Sequence, residues 1–185
     1  MPISTEKFAA LDREILLGWV WNVSPHLRAM EFLARVGFLH MVTPTTMAVV
    51  KDMSLKGDAE QKRQANLIIE EVLDSTIIRP EASDTYQQVL DIHADKLLEK
   101  GILDGGDKAD ALILAEASYF NASVLLTTNK ALKNAQKDSL KVALLECGMD
   151  SVVIISPKEI VDYLEAQKQV EAHRAKAAPS KEAKP

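Results

Sequence analysis

Short apolar runs alternate with longer amphipathic segments along most of this chain. Four runs have the length and the β-branched or apolar content of buried strands, and they lie at residues 8–11, 38–42, 123–126 and 152–155. A weaker fifth candidate, at residues 76–78, ends before Pro80. Between the runs, apolar residues recur at helical spacing, most clearly at residues 59–73. Such alternation predicts an α/β fold, a three-layer α/β/α sandwich with a mostly parallel central sheet.

The composition predicts one folded domain followed by a tail. The chain has 185 residues, of which 47% are hydrophobic, and this is enough for a single core of ordinary size. From residue 168 the sequence becomes rich in Ala, Lys, Glu and Pro, and it is basic, whereas the chain as a whole has a formal net charge of −5. We therefore expect a domain at residues 1–167 and a disordered basic tail at 168–185.

The cysteine content and the hydropathy pattern favour a protein of the cytoplasm. Cys147 is the only cysteine, so no intramolecular disulfide can form, which is typical of a reducing compartment. No apolar stretch reaches the roughly 18 residues of a membrane span. The negative net charge also argues against a protein that coats nucleic acid by overall attraction.

Polar side chains follow the predicted strands. Asp12 comes directly after the first, Thr43 after the second, and Thr127 and Asn129 after the third. In a parallel sheet these ends lie at one edge, where α/β proteins bind ligands. Asp110, near the start of an alanine-rich helix, joins them if that helix begins at the same edge, and Asp107 and Asp110, three residues apart, share one helix face. Clustered carboxylates repel unless a cation lies between them, and oxygen ligands suit Mg²⁺ or Mn²⁺.

Helix capping is an alternative explanation for the same residues. Asp107 is suited to be an N-cap with Asp110 three residues later, and Asp12 and Asn129 could cap the helices that follow them. Capping explains each residue singly, but it does not explain why three caps fall at the carboxyl ends of neighbouring strands.

Three segments resemble the PIN domain family, whose members are magnesium-dependent nucleases. The segment "ALDREILL" resembles the opening strand of that family, with Asp12 in the first acidic position. The segment "DALILAEA" is similar to the helix that the third acidic residue opens, here Asp110, and "LLTTN" is similar to the strand that ends in Thr, any residue, then Asp or Asn. The order of predicted elements also agrees over residues 7–165.

The resemblance implies a metal-dependent endoribonuclease that hydrolyses RNA phosphodiester bonds. In that case Asp12, Asp110 and Asp107 would bind Mg²⁺ or Mn²⁺, Asp52 and Asn129 would complete the catalytic set, and Thr127 would fix Asp12. The protein would then be a candidate toxin of a toxin–antitoxin pair, with RNA and an antitoxin protein as partners and a homodimer as the expected assembly.

The sequence departs from the family pattern at two positions. Where a glutamate is expected in the helix after the second strand, this chain has Val49 and Val50. The nearest acid is Asp52, which helical rotation turns away, although Glu14 or Asp107 could compensate. The fourth position is Asn129 rather than Asp. A catalytically degenerate PIN-like domain that binds RNA or protein is therefore the alternative. A third alternative, an unrelated domain for phosphorylated ligands, is disfavoured because no Gly-rich phosphate loop is present.

Basic and aromatic residues near the predicted site carry weaker expectations. Six basic residues flank the predicted edge and could contact phosphates: Arg13, Lys51, Lys56, Lys108, Lys130 and Lys133. Trp19 and Trp21 are interpreted as core or interface anchors rather than as platforms for base stacking.

Overall fold

A computed structural model describes residues 6–81 and 83–177. The elements follow in the order β1 (Lys7–Leu11), α1 (Arg13–Val20), α2 (Ser24–Arg35), β2 (Phe38–Met41), α3 (Pro44–Lys56), α4 (Ala59–Asp74), α5 (Asp84–Glu99), α6 (Lys108–Tyr119), β3 (Ala122–Leu126), α7 (Lys130–Lys133), α8 (Lys137–Glu146), β4 (Val153–Ile155) and α9 (Pro157–Ala177). Strands and helices alternate as the hydrophobic pattern predicts. Among the described residues, no helix is both long enough and apolar enough to cross a membrane.

The described part of the chain forms a four-stranded sheet in the order β2-β1-β3-β4, and every pairing in it is parallel. The strands are short and apolar because both faces of the sheet are covered by helices. Alternate residues of β1 enter different cores. Ala10 packs into a cluster with Leu90, of α5, and Leu114, of α6, whereas Leu11 packs with residues of α1, α2 and α4 on the other face. The predicted three-layer α/β/α sandwich is confirmed.

Two predicted segments differ from the structure. Residues 76–78 do not form a full strand: Ile78 makes one parallel bridge to Met41, with backbone hydrogen bonds to His40 and Val42. Pro80 lacks an N–H and follows closely, so the ladder cannot extend. We expected the last helix to run from Pro157 to about Val170, but it continues to Ala177 because its Ala, Glu, Gln and Lys residues favour helix. Residues 178–185 of the predicted tail lie outside the described residues.

Candidate active site

Asp12 lies at the carboxyl end of β1, buried with 5% of its surface exposed. Its backbone N–H donates to the carbonyl of Leu126 at 3.1 Å, which ties it to the end of β3. Its Oδ2 accepts a hydrogen bond from the Thr127 hydroxyl at 2.6 Å, and its Oδ1 accepts from the backbone N–H of Arg13 at 2.7 Å. Asp12 is therefore the N-cap of α1 and, at the same time, a carboxylate held rigidly at the sheet edge.

Burial raises the pKa of Asp12 above the ordinary aspartate value, and the hydrogen bonds from Thr127 and Arg13 oppose that rise. The carboxylate loses hydration energy in the protein, and two donors return only part of it. A cation close to Asp12 would stabilise its charged form.

Asp110 lies in the first turn of α6, and Asp107 is the N-cap of that helix. The two residues form a capping box: Asp107 Oδ1 accepts from the Asp110 N–H at 2.9 Å, and Asp110 Oδ2 accepts from the Asp107 N–H at 3.3 Å. The capping interpretation of this pair is thus confirmed. The capping box uses only Oδ2 of Asp110. The other oxygen, Oδ1, accepts a hydrogen bond from Asn129 Nδ2 at 2.7 Å.

Asn129 links the two carboxylates. Its Oδ1 accepts from the Ala131 N–H at 2.9 Å, which makes Asn129 the N-cap of α7. Because a backbone N–H can only donate, the amide oxygen must face Ala131, and the NH₂ group therefore faces Asp110. The Asn129 N–H donates to the Thr127 hydroxyl oxygen at 2.9 Å, and that hydroxyl donates to Asp12. Hydrogen bonds therefore connect Asp12 to Asp110 without a break, through Thr127 and Asn129. Asn129 orients Asp110 by donating a hydrogen bond to it.

A cleft of about 500 Å³ contains this network. Four of the predicted site residues line it: Asp12, Asp107, Asp110 and Asn129. Burial raises the pKa of Asp110, the N–H of Asp107 lowers it, and the negative charges of Asp107 and Asp12 raise it further. Asp12 and Asp110, far apart in the sequence, are therefore close enough to interact electrostatically across the cleft.

The carboxylates of the cleft suit a hard divalent ion with an open coordination shell. Within the described part of the chain, no group of three or more His, Cys, Asp or Glu side chains could hold a metal ion. The predicted trio of Asp12, Asp110 and Asp107 is thus not a closed ligand cluster. Mg²⁺ commonly needs only one or two carboxylates, with water and substrate phosphates completing its shell. Asp12 and Asp110 fit this arrangement, and a cation would offset the raised pKa of both.

Asp52 is not among the cleft residues. It lies on α3 with more than half of its side chain exposed and forms an ion pair with Lys56 at 2.5 Å.

Most of the basic residues that were expected near the site also lie outside the cleft. Lys108 pairs with Asp95 on α5, and of the six basic residues that the sequence singled out, Arg13 alone lines the cleft. Its guanidinium hydrogen-bonds to Glu14, another cleft residue, at 2.9 Å from Nε.

Val49 lies in the cleft wall, together with Thr46, also from α3. This is the position where the family resemblance leads one to expect a glutamate. An apolar side chain therefore faces the two carboxylates from α3, while Val50 is fully buried in the core beneath. Within the described residues α3 contributes no acid to the cleft, but Glu14 and Asp107, the two residues that could compensate, both line it.

Glu116 is a buried carboxylate that the sequence analysis did not single out. It is 0% exposed and lies at the start of the last turn of α6. Its two oxygens accept from the Thr45 N–H at 2.9 Å and from the Thr45 hydroxyl at 2.7 Å. Glu116 thereby ties α6, which carries Asp110, to the first turn of α3, which lines the opposite wall. The signal in the sequence was a lone acid in the apolar run "ALILAEA".

Comparisons with known proteins agree with this architecture. No protein-family model matches the chain, and no curated protein matches it. Among solved structures, VapBC2 from Rickettsia felis bound to a DNA fragment from their promoter matches with a TM-score of 0.56 and 16% identity, over 80% of this chain and 98% of that chain. VapBC-1 from nontypeable Haemophilus influenzae matches with a TM-score of 0.53 and 14% identity, over 82% of this chain and 98% of that one. The VapC component of such complexes has a PIN-like fold. Its all-parallel sheet, its layering and these structural neighbours show that the chain has a PIN-like fold.

Proposed function

We propose that the protein is a metal-dependent endoribonuclease that hydrolyses phosphodiester bonds in RNA. One observation carries the proposal. Asp12 and Asp110, which are brought together only by the fold, line one cleft and interact electrostatically there. Asp12 is buried and Asp110 is partly buried, and carboxylates that lose water and repel each other are costly to keep unless they serve a cation or a proton transfer.

Each residue of the cleft would have a separate role in binding the ion. Asp12 and Asp110 would hold Mg²⁺ or Mn²⁺, with Asp107 contributing through water. Thr127 and Asn129 fix the two carboxylates in place, each by a single donated hydrogen bond. When bound, such an ion lowers the pKa of a coordinated water and neutralises charge that develops on the phosphate.

The likeness to VapBC complexes supports a further part of the proposal, that the chain is the toxin of a toxin–antitoxin pair with an antitoxin protein as its partner. A homodimer and a cytoplasmic location remain predictions from the sequence.

The experiment is cleavage of a mixed single-stranded RNA pool in Mn²⁺, with the products resolved by length. We expect the wild type to cleave, and Asp12→Asn and Asp110→Asn each to lose at least about 100-fold of the rate, which corresponds to the loss of a metal ligand. Asp52→Asn is the matched control and should cleave like the wild type. Equal inertness of the wild type and both site variants would contradict the proposal.

A second function is favoured by Val49. If the apolar side chain in the cleft wall prevents the ion from being held firmly, the domain is a catalytically degenerate PIN-like module that binds RNA or protein. Retained RNA binding by an inert wild type, measured by filter retention, would select this alternative.

A further inference from the structure

A second groove opens beside the acidic cleft. Its volume is about 390 Å³, and its walls come from α1, α2 and α4. Glu14 and Thr128 line both the groove and the cleft, so the two concavities adjoin each other at the protein surface. A molecule that binds in the cleft can therefore extend into the groove without leaving the protein surface.

Trp21 forms one wall of the groove and is 47% exposed. Of the two interpretations of this residue, core anchor or interface anchor, the structure excludes the first: α1 ends at Val20, and the indole projects just beyond the helix rather than into the core. The interface interpretation stays a prediction. The guanidinium carbon of Arg63 lies 5.4 Å from the ring centroid of Trp21, a cation–π contact that helps to hold the indole in place. An exposed, oriented indole beside a basic group is a stacking platform for an unpaired base, and such stacking tolerates any sequence.

Neutral polar groups supplement the indole. The His26 ring lies against Gly18, where a Cβ would come within 2.4 Å of His26 Cγ, so only glycine allows this approach. His26 Nδ1 is buried and has no hydrogen-bond partner among the described residues, and burial lowers the pKa of the ring, while the negative charge of Glu14 opposes this. Gln64 donates to Glu60 at 2.9 Å through Nε2, which leaves its carbonyl oxygen as an acceptor. With the Thr128 hydroxyl, the groove offers neutral donors and acceptors beside the carboxylate of Glu14, and this set suits the edge of a base better than a phosphate.

We propose that this groove is a nucleobase subsite, which holds one unpaired base of a single-stranded RNA whose backbone passes through the acidic cleft. The orientation of the strand rests on the proposed function. Trp21 supplies the stacking face, and Gln64 and Thr128 supply hydrogen bonds to the base edge.

Binding to a catalytically disabled protein tests the subsite without requiring cleavage. The variant Asp110→Asn with Trp19→Phe retains Trp21 as the sole tryptophan, because the chain has two. Two ligands are compared, a single-stranded uridine pentamer and an abasic pentamer of the same charge. We expect the uridine pentamer to quench the Trp21 fluorescence and to bind about tenfold more tightly than the abasic one.

Substitutions of aromatic residues then test whether Trp21 causes the preference for the uridine pentamer. Measured by the anisotropy of labelled pentamers, Trp21→Ala should lower the affinity for uridine to that of the abasic ligand, and Trp21→Phe should restore most of it. The matched control is Tyr86→Ala, which removes another half-exposed aromatic side chain. Tyr86 contacts Tyr119 at the end of α6 opposite to Asp110. Thermal melts of each variant check that the fold is intact.

Equal affinities for the two pentamers, or an unchanged affinity in Trp21→Ala, would overturn the subsite. Quenching by an amphipathic helical peptide but not by the uridine pentamer would assign the groove to a protein partner and overturn it too. These failures are distinct from that of the proposed function. An inert wild type with base-dependent binding would contradict hydrolysis alone, whereas cleavage with an unchanged KM in Trp21→Ala would contradict the subsite alone.

Discussion

The Thr127 hydroxyl donates to Asp12 Oδ2 at 2.6 Å while its oxygen accepts from the Asn129 N–H at 2.9 Å. Since the Asn129 N–H occupies the acceptor side of the oxygen, the hydroxyl hydrogen is directed at the carboxylate. Thr127 is itself fully buried. The end of β3 therefore orients the carboxylate at the end of β1, and the site is rigid before any ion binds.

Replacing Thr127 by valine should destabilise the protein most where Asp12 is ionised. The buried carboxylate would lose a donor, and we expect a loss of about 1–3 kcal/mol in the free energy of unfolding near neutral pH. The pKa of Asp12, already raised by burial, would rise further, so the loss should shrink as the pH falls and Asp12 becomes protonated. Urea denaturation at several pH values measures this. Thr127→Ser keeps the hydroxyl and should behave like the wild type, and a pH-independent loss in Thr127→Val would contradict the role of the hydroxyl.

The free energy of unfolding should depend on pH through the titration of Glu116. Burial raises the pKa of Glu116 above its ordinary value of 4.5, and the hydrogen bonds from Thr45 and Thr43 oppose that rise only partly. The folded state therefore binds a proton more tightly than the unfolded state. The stabilisation by this group is complete below the unfolded-state pKa and is lost as the pH rises through the folded-state pKa.

Glu116→Gln cannot titrate, so its free energy of unfolding should increase relative to that of the wild type as the pH rises from about 4 to 7. The same substitution at an exposed position of α5, Glu99→Gln, provides the control for the loss of one carboxylate. Parallel curves for the wild type and Glu116→Gln would show that the buried carboxyl keeps an unshifted proton affinity, contrary to expectation.

Restoring an acid at Val49 should strengthen ion binding. Val49 lines the same cleft as Asp12 and Asp110, so Val49→Glu adds a carboxylate from α3 to the cleft wall. We expect Mn²⁺ to bind about tenfold more tightly, since added ligand charge tightens such sites, and RNA cleavage to rise. Without a divalent ion the variant should be less stable than the wild type. Val142→Glu, the same change on the exposed face of α8, should alter neither the Mn²⁺ affinity nor the rate of RNA cleavage. A variant with unchanged Mn²⁺ affinity would mean that α3 does not face the ion.

Asn129→Asp should make the stability of the protein depend more strongly on a divalent ion. A carboxylate in place of the donor would face Asp110 Oδ1, which now accepts from Asn129 at 2.7 Å. Repulsion should cost on the order of 1 kcal/mol without the ion and be reversed when Mn²⁺ binds. Thermal unfolding with and without Mn²⁺ would report a larger stabilisation by the ion than in the wild type. The remote change Asn66→Asp on α4 should leave the Mn²⁺ effect unaltered.

The sequence predicted the fold better than the direction of individual side chains. Strand and helix positions follow from hydrophobic period, so β1, β3 and the helix with Asp110 were predictable, and so was the edge where Asp12, Thr127 and Asn129 meet. Helical rotation along α3 predicted that Asp52 turns away from the site, and Asp52 lies outside the cleft. The exposure of Trp21 was harder to predict, because it depends on where α1 ends, and a shift of one or two residues changes this. The role of Glu116 depends on a tertiary contact with Thr45, which no local pattern encodes.

The central claim, that Asp12 and Asp110 hold one divalent ion together, is tested most directly by the Mn²⁺ affinity of Asp12→Asn, Asp110→Asn and the double variant. Calorimetric titration of the four proteins gives a double-mutant cycle. If the two carboxylates share an ion, each single substitution should abolish most of the binding, and the double variant should lose little more. Independent, additive losses, or binding that is unchanged in either single variant, would contradict the claim.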